Sequence, residues 1–150
     1  MVEDLNSRRF FHIDRKADPI YTERYAYISD YRYGIAVAVN NDGLCTHIDG
    51  KGRLLHGKYF SELDVYHKGY AIAKDEKGYF HINKSGKALY GERYIKLEPY
   101  YNSRAIVVDK YGVKRIISTE GEIVKKIDSQ DAEIQKIEQY YSQQAFSYWH

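Results

Sequence analysis

The residues best suited to chemistry in this 150-residue chain are three histidines at even intervals, a lone cysteine and a close pair of carboxylates. His12, His47 and His81 are of a type that ligates zinc as neutral imidazole, provided that one ion can reach several of them. Cys45 carries the sole thiol, but no histidine-plus-carboxylate pattern singles it out for activation, so it reads as a small hydrophobe. Glu62 and Asp64, two apart on an extended strand, share one face as an acid–base pair would; a solvated face asks for the same pattern. Asp14 and Asp49 occupy turn positions that want a short acceptor whatever the function. No phosphate-cradling glycine loop, hydrolase elbow or paired-cysteine motif occurs. No catalytic, cofactor-binding or metal-binding residue is therefore assigned, and the chain is not expected to be an enzyme on its own.

The elements that must position these residues form a repeat. Phe11-His12-Ile13-Asp14 recurs as Thr46-His47-Ile48-Asp49, as Phe80-His81-Ile82-Asn83 and, faded, as Arg115-Ile116-Ile117-Ser118, at steps of 35, 34 and 35 residues. Further columns agree: Tyr21, His56 and Tyr90; Tyr25, Phe60 and Tyr94; Tyr31, Tyr66 and Tyr100. Each copy holds an apolar stretch (35–40, 70–74, 104–109), a turn ending in Gly43, Gly78 or Gly112, the returning histidine strand, and a second turn opened by Asp49, Asn83 or Ser118. Counted from the histidines, the units run over about 12–46, 47–80 and 81–115, with a partial copy at 116–127, in a β-domain spanning 1–127. Three or four short antiparallel strands per unit make an open β-meander array, because three copies are fewer than the roughly four to eight blades of a closed propeller. Successive histidines in such an array stand roughly 14 to 19 Å apart, three or four strand spacings, beyond the reach of one ion. The tyrosine columns are expected to pack neighbouring units together.

The period changes near the C-terminus, where Ile134, Ile137, Tyr141, Ala145 and Tyr148 recur at spacings of three and four; this predicts one amphipathic helix within 128–150. Its expected role is to cover an open strand edge, or else to pair with a second copy or a following domain. The whole is thus expected to be mainly all-β. A formal charge of +2, from 23 Lys and Arg against 21 Asp and Glu, lacks the basic excess of a nucleic-acid binder. Apolar runs are far shorter than the roughly 20 residues of a membrane span, and one cysteine with no secretory-type start points to a cytoplasmic location.

The unit aromatic-x-x-Gly-x-Ala, glycine turn, aromatic-His-Ile-Asp and second glycine turn, clearest over residues 66–86, resembles the bacterial WG-containing (KWG) repeat family across roughly residues 8 to 125. The tryptophan that names the family is replaced by Leu44, Tyr79 and Val113. The resemblance implies a binding or scaffolding module with a protein or peptide partner. The Phe-His-Ile-Asp variety further resembles repeats ahead of S-adenosylmethionine-dependent methyltransferase domains, which implies an N-terminal accessory, substrate-docking part of a larger bacterial enzyme. A carbohydrate or cell-envelope ligand displayed on tyrosine ladders is the alternative. Residues that break the repeat are the candidates for partner contact, because packing between units does not dictate them: Tyr33, Tyr101, Asn102, Arg104, Tyr111 and Trp149.

Overall fold

The structure, a computed structural model, describes residues 2–4, 9–13, 16–17, 25–126, 136, 139 and 140. Among these the chain is mostly β, laid out as four small antiparallel sheets that do not close into a ring. β1 (Val2–Asp4) pairs with β2 (Arg9–Phe11), which is bridged to Tyr25 through Phe10. The second sheet is β3 (Tyr27–Ile28), β4 (Ala36–Val39) and β5 (Cys45–Ile48). The third is β6 (Glu62–Leu63), β7 (Ala71–Asp75) and β8 (Gly78–Ile82). The fourth is β9 (Lys96–Leu97), β10 (Arg104–Val108), β11 (Lys114–Ser118) and β12 (Ile123–Lys126).

Every pairing joins sequence neighbours, as a meander requires. After β5 the chain folds back along it through the bridges Ile48 to Leu54 and Cys45 to Phe60, and after β8 through Ile82 to Ala88 and Tyr79 to Tyr94. The middle strands match the apolar stretches read from sequence, and the histidine motif lies on the strand that follows, so the sheets run half a unit out of phase with copies counted from the histidine. Residues 116–126 of the partial copy end β11 and form β12, the outer strand of the fourth sheet.

The turns work as their residue types suggest. Asp49 Oδ1 accepts from the amides of Lys51 and Arg53 (2.9 and 3.0 Å), and Asn83 Oδ1 accepts from those of Ser85 and Lys87. Asn40 and Asp109 repeat the pattern at the opposite hairpin ends, and Ser118 Oγ does so in the last copy. Small residues alternate along the middle strands: Ala36 and Ala38, Ala71 and Ala73, Ala105 and Val107 are all buried. Their size leaves room for rings, and Tyr66, Phe80, Tyr90, Tyr94 and Tyr100 fill a core shared by the third and fourth sheets.

The expected C-terminal helix falls almost wholly outside the described residues; Lys136, Gln139 and Tyr140 are described, with helical backbone. Tyr140 lies against turns of two sheets: its ring is 4.4 Å from that of Tyr101 and 6.1 Å from that of His67. No helix among the described residues is long and apolar enough to cross a membrane.

Candidate functional site

The histidines do not converge. Each reaches forward from one sheet to the next and bonds the main chain there. His47 lies 2.8 Å (Nε2) from the carbonyl of Asp64, His81 2.8 Å from that of Glu98, and His12 3.0 Å from that of Ser29. A carbonyl only accepts, so Nε2 carries the proton in each case and Nδ1 is left as an acceptor. On the same junctions a tyrosine of the following sheet packs its ring, tilted, against the imidazole: Tyr31 against His12, Tyr66 against His47 and Tyr100 against His81, with centroids 4.2, 4.3 and 4.4 Å apart. The phenol of each then donates within its own sheet, to the carbonyls of Asp49, Asn83 and Ser118 at 2.6, 2.7 and 2.8 Å.

Burial of these groups explains their acidities. Desolvation pushes the imidazoles of His47 and His81 down to about 4, and burial raises the phenols of Tyr66, Tyr90 and Tyr100 above the usual tyrosine range. At neutral pH the seam is therefore uncharged. Cys45 is half-buried with its thiol pushed up by desolvation, the reverse of an activated nucleophile. Glu62 accepts from Tyr79 Oη (2.7 Å) and pairs with Lys74, while Asp64 Oδ1 accepts from the amide of Val65 (2.7 Å). Both carboxylates are exposed. Among the described residues no group of His, Cys, Asp and Glu is disposed to hold a metal ion.

The residues chosen as breaking the repeat do not form one surface. Tyr33, Tyr101, Asn102 and Arg104 lie at the hairpin end that carries the β3–β4 and β9–β10 turns. Tyr111 lies at the opposite end, in the β10–β11 turn, and is 78% exposed. Trp149 is outside the described residues.

At the first of these ends each turn has two residues with positive φ, closed by a pair of main-chain bonds between its flanks. Tyr33 and Gly34 have φ of 53° and 79°, Lys68 and Gly69 of 52° and 91°, Asn102 and Ser103 of 48° and 62°. The flanking pairs are Arg32 with Ile35, His67 with Tyr70 and Tyr101 with Arg104. The occupants of the three tips differ. Lys68 holds its ammonium 5.2 Å from the Tyr101 ring and 5.0 Å from that of Tyr140, so Tyr101 is engaged within the chain. Tyr33 has no such cover and is 95% exposed.

Sequence reasoning found the repeating histidines and tyrosines but missed where their bonds go, and it missed a ring-on-glycine contact at the same junctions. A Cβ on Gly86 would stand 2.7 Å from Cγ of His56, and one on Gly121 would collide with Cβ of Tyr90. These glycines of the second turn are needed for approach as well as for φ. The signal was present in the pairing of two columns, aromatic nine residues after the histidine and glycine in the next copy's turn.

No known family matches this chain, and no curated protein matches it. Among solved structures it is similar to the computationally designed Ika4 protein at 15% identity and a TM-score of 0.49, over 74% of this chain and 79% of that one. It is also similar to the computationally designed Ika8 protein at 13% identity and a TM-score of 0.48, over 73% of this chain. BamB from Moraxella catarrhalis matches at 19% identity and a TM-score of 0.48, over 69% of this chain. The chain spans 39% of the length of Ika8 and 34% of that of BamB.

Proposed function

We propose that this chain is a non-catalytic recognition module, an open array of repeated β-units leaning on one another, which binds a protein or peptide along the row of turns that begins at Tyr33. The observation that carries the reading is Tyr33 itself. A left-handed backbone at φ 53° disfavours any residue with a Cβ, by roughly 1 kcal/mol or more, and suits Asn or Gly. A ring that is 95% exposed recovers nothing from packing to offset that cost. A tyrosine held there serves something other than the fold, and exposed aromatics beside an arginine, here Arg32, are common anchors of protein recognition. The histidines and buried tyrosines are already committed to the junctions between sheets, which fits a scaffold. The resemblance to WG-containing repeats supports the same role, and the variety it resembles points to an accessory part of a bacterial methyltransferase; reading the gene past codon 150 tests that extension.

The module itself is tested by placing a photo-crosslinking amino acid at Tyr33 and, as a control, at Tyr111 in bacteria that express the chain. A discrete protein adduct from position 33 and none from 111 is the expected result. With the adduct identified, Tyr33→Ala should weaken its binding at least tenfold. Adducts from position 111 alone, or glycan binding with no protein adduct, would overturn the reading.

A further inference from the structure

The junction between the second and third sheets differs from the next one at a single column, and the difference concerns protons. At the third-to-fourth junction the phenol of Tyr90 lies 2.6 Å from Nδ1 of His81. At the second-to-third junction the same place is taken by His56, whose Nε2 lies 2.9 Å from Nδ1 of His47. His47 Nδ1 is an acceptor because its Nε2–H donates to Asp64, so His56 donates from Nε2. Its own Nδ1 must then accept, and the amide of Lys58 supplies that bond at 3.0 Å. Three hydrogen bonds in series, each with its proton assigned, join Lys58 to His56, His56 to His47 and His47 to the third sheet.

The series has no place for another proton. Protonation of His47 at Nδ1 sets N–H against N–H unless His56 moves its own proton to Nδ1, where the Lys58 amide already points. Protonation of His56 at Nδ1 breaks the bond to Lys58 directly. Tyr90 is under no such constraint. A hydroxyl turns about its C–O bond from donor to acceptor, so it can take a bond from a protonated His81 without moving its ring.

We infer that the second-to-third junction is a proton-sensitive joint that opens in mild acid, while the third-to-fourth junction stays shut. The charged and titratable groups around it agree. Lys58 disfavours a positive His56, and Tyr66, whose ring lies against His47, is neutral with its phenol committed to Asn83. Asp64 offers its carbonyl to His47 and turns a carboxylate oxygen to the amide of Val65. From the third sheet's second turn Gly86 meets the His56 ring, and the lysines of that turn, Lys84 and Lys87, are exposed. At the other junction Tyr94 and Tyr100 lie near Tyr90 and His81, Arg93 opposes added positive charge near Tyr90, Glu98 supplies the carbonyl, and Glu120 belongs to the turn that meets Tyr90. Burial also holds His56 below the ordinary histidine range, which sets opening below neutrality.

Amide hydrogen exchange of the whole chain, followed by mass spectrometry from pH 7 to pH 4.5 with correction for intrinsic rates, reads the two joints separately. Protection over 45–66 should fall at least tenfold further than protection over 79–100, which loses only what the whole fold loses. His56→Tyr, which installs the residue found at the next junction, should abolish the difference, and Tyr90→His should create a second acid-sensitive joint. Parallel loss at both junctions in the unmodified chain would overturn the inference, as would a His56→Tyr protein whose 45–66 segment opens at the original pH. Because each substitution places at one joint a residue the other already accommodates, Tyr90→His keeps the test available if His56→Tyr does not fold.

Discussion

At the scale of single residues the second-turn glycines carry more than their conformation. Gly43, Gly86 and Gly121 have closely similar φ, at 80°, 75° and 81°, but a Cβ at Gly43 meets nothing within 4 Å. Gly43→Ala should therefore cost only the left-handed penalty, about 1 kcal/mol. Gly86→Ala and Gly121→Ala add a collision with His56 or Tyr90, and should cost about 2 to 4 kcal/mol. Urea denaturation of the three variants checks this, because the difference from Gly43→Ala isolates the ring contact. Asp49, read from sequence as a turn acceptor, is occupied in building its turn, with its carboxyl held below the usual range by the amides and side chain of that turn.

At the scale of elements the junction between sheets is the unit of stability. A sheet of two-to-five-residue strands cannot bury its faces alone, and stacking supplies what each lacks. The His–Tyr seam fixes how the sheets stack, because the imidazole must meet one carbonyl and the phenol another. Tyr100→Phe keeps the ring on His81 and removes only the donor to Ser118, in a buried bond; the corresponding bond from Tyr66 to Asn83 is partly buried. The Ser118 carbonyl keeps the Gly121 amide (3.0 Å) and the Asn83 carbonyl the Gly86 amide (2.9 Å), so each change removes one of two bonds; Tyr100→Phe should destabilise by about 0.5 to 1.5 kcal/mol and Tyr66→Phe by less, as water can reach Asn83. Equal losses in denaturation would show that the two seams are equally dry. Ile116 stands at the column of the three histidines and is fully buried. Among the described residues no further sheet follows the fourth to present a carbonyl there, and an apolar side chain suits that place.

At the scale of the whole molecule the seam predicts acid lability. His47 and His81 bind a proton at about 4 in the fold and near 6.5 when unfolded. The unfolded chain thus binds more protons between those values, and stability contributed above pH 6.5 is lost as pH falls toward 4. Each of the two contributes up to about 1.4 kcal/mol per pH unit in that window. His12, His56 and His67, also lowered by burial, add in the same direction. Denaturation midpoints should be level from pH 8 to 7 and fall steadily below 6.5. A flat profile down to pH 5 would mean that the imidazoles are solvated in the native state. Low contact order follows from the same architecture, since sheets pair only sequence neighbours, and folding is expected to be fast for a β-protein.

The turns, their period and the strands that flank them could be read from local chemistry alone, whereas β1 was not anticipated. That chemistry is β-branched and alanine runs, Asx and serine side chains that bond the amides two and four residues on, and glycines that accept positive φ. The equivalence of Tyr31, Tyr66 and Tyr100 was legible for the same reason, as was the expectation that they pack. The role of the histidines came from the folded arrangement, because each bonds a main-chain carbonyl 17 residues ahead, and a carbonyl carries no side-chain identity for a sequence to display. That arrangement likewise separated Tyr33 and Tyr111, alike as exposed turn tyrosines, onto opposite ends of the hairpins, and turned Tyr101 inward onto Lys68 and Tyr140. Which surface a side chain joins depends on how neighbouring sheets stack, and that is set by contacts between residues distant in the chain.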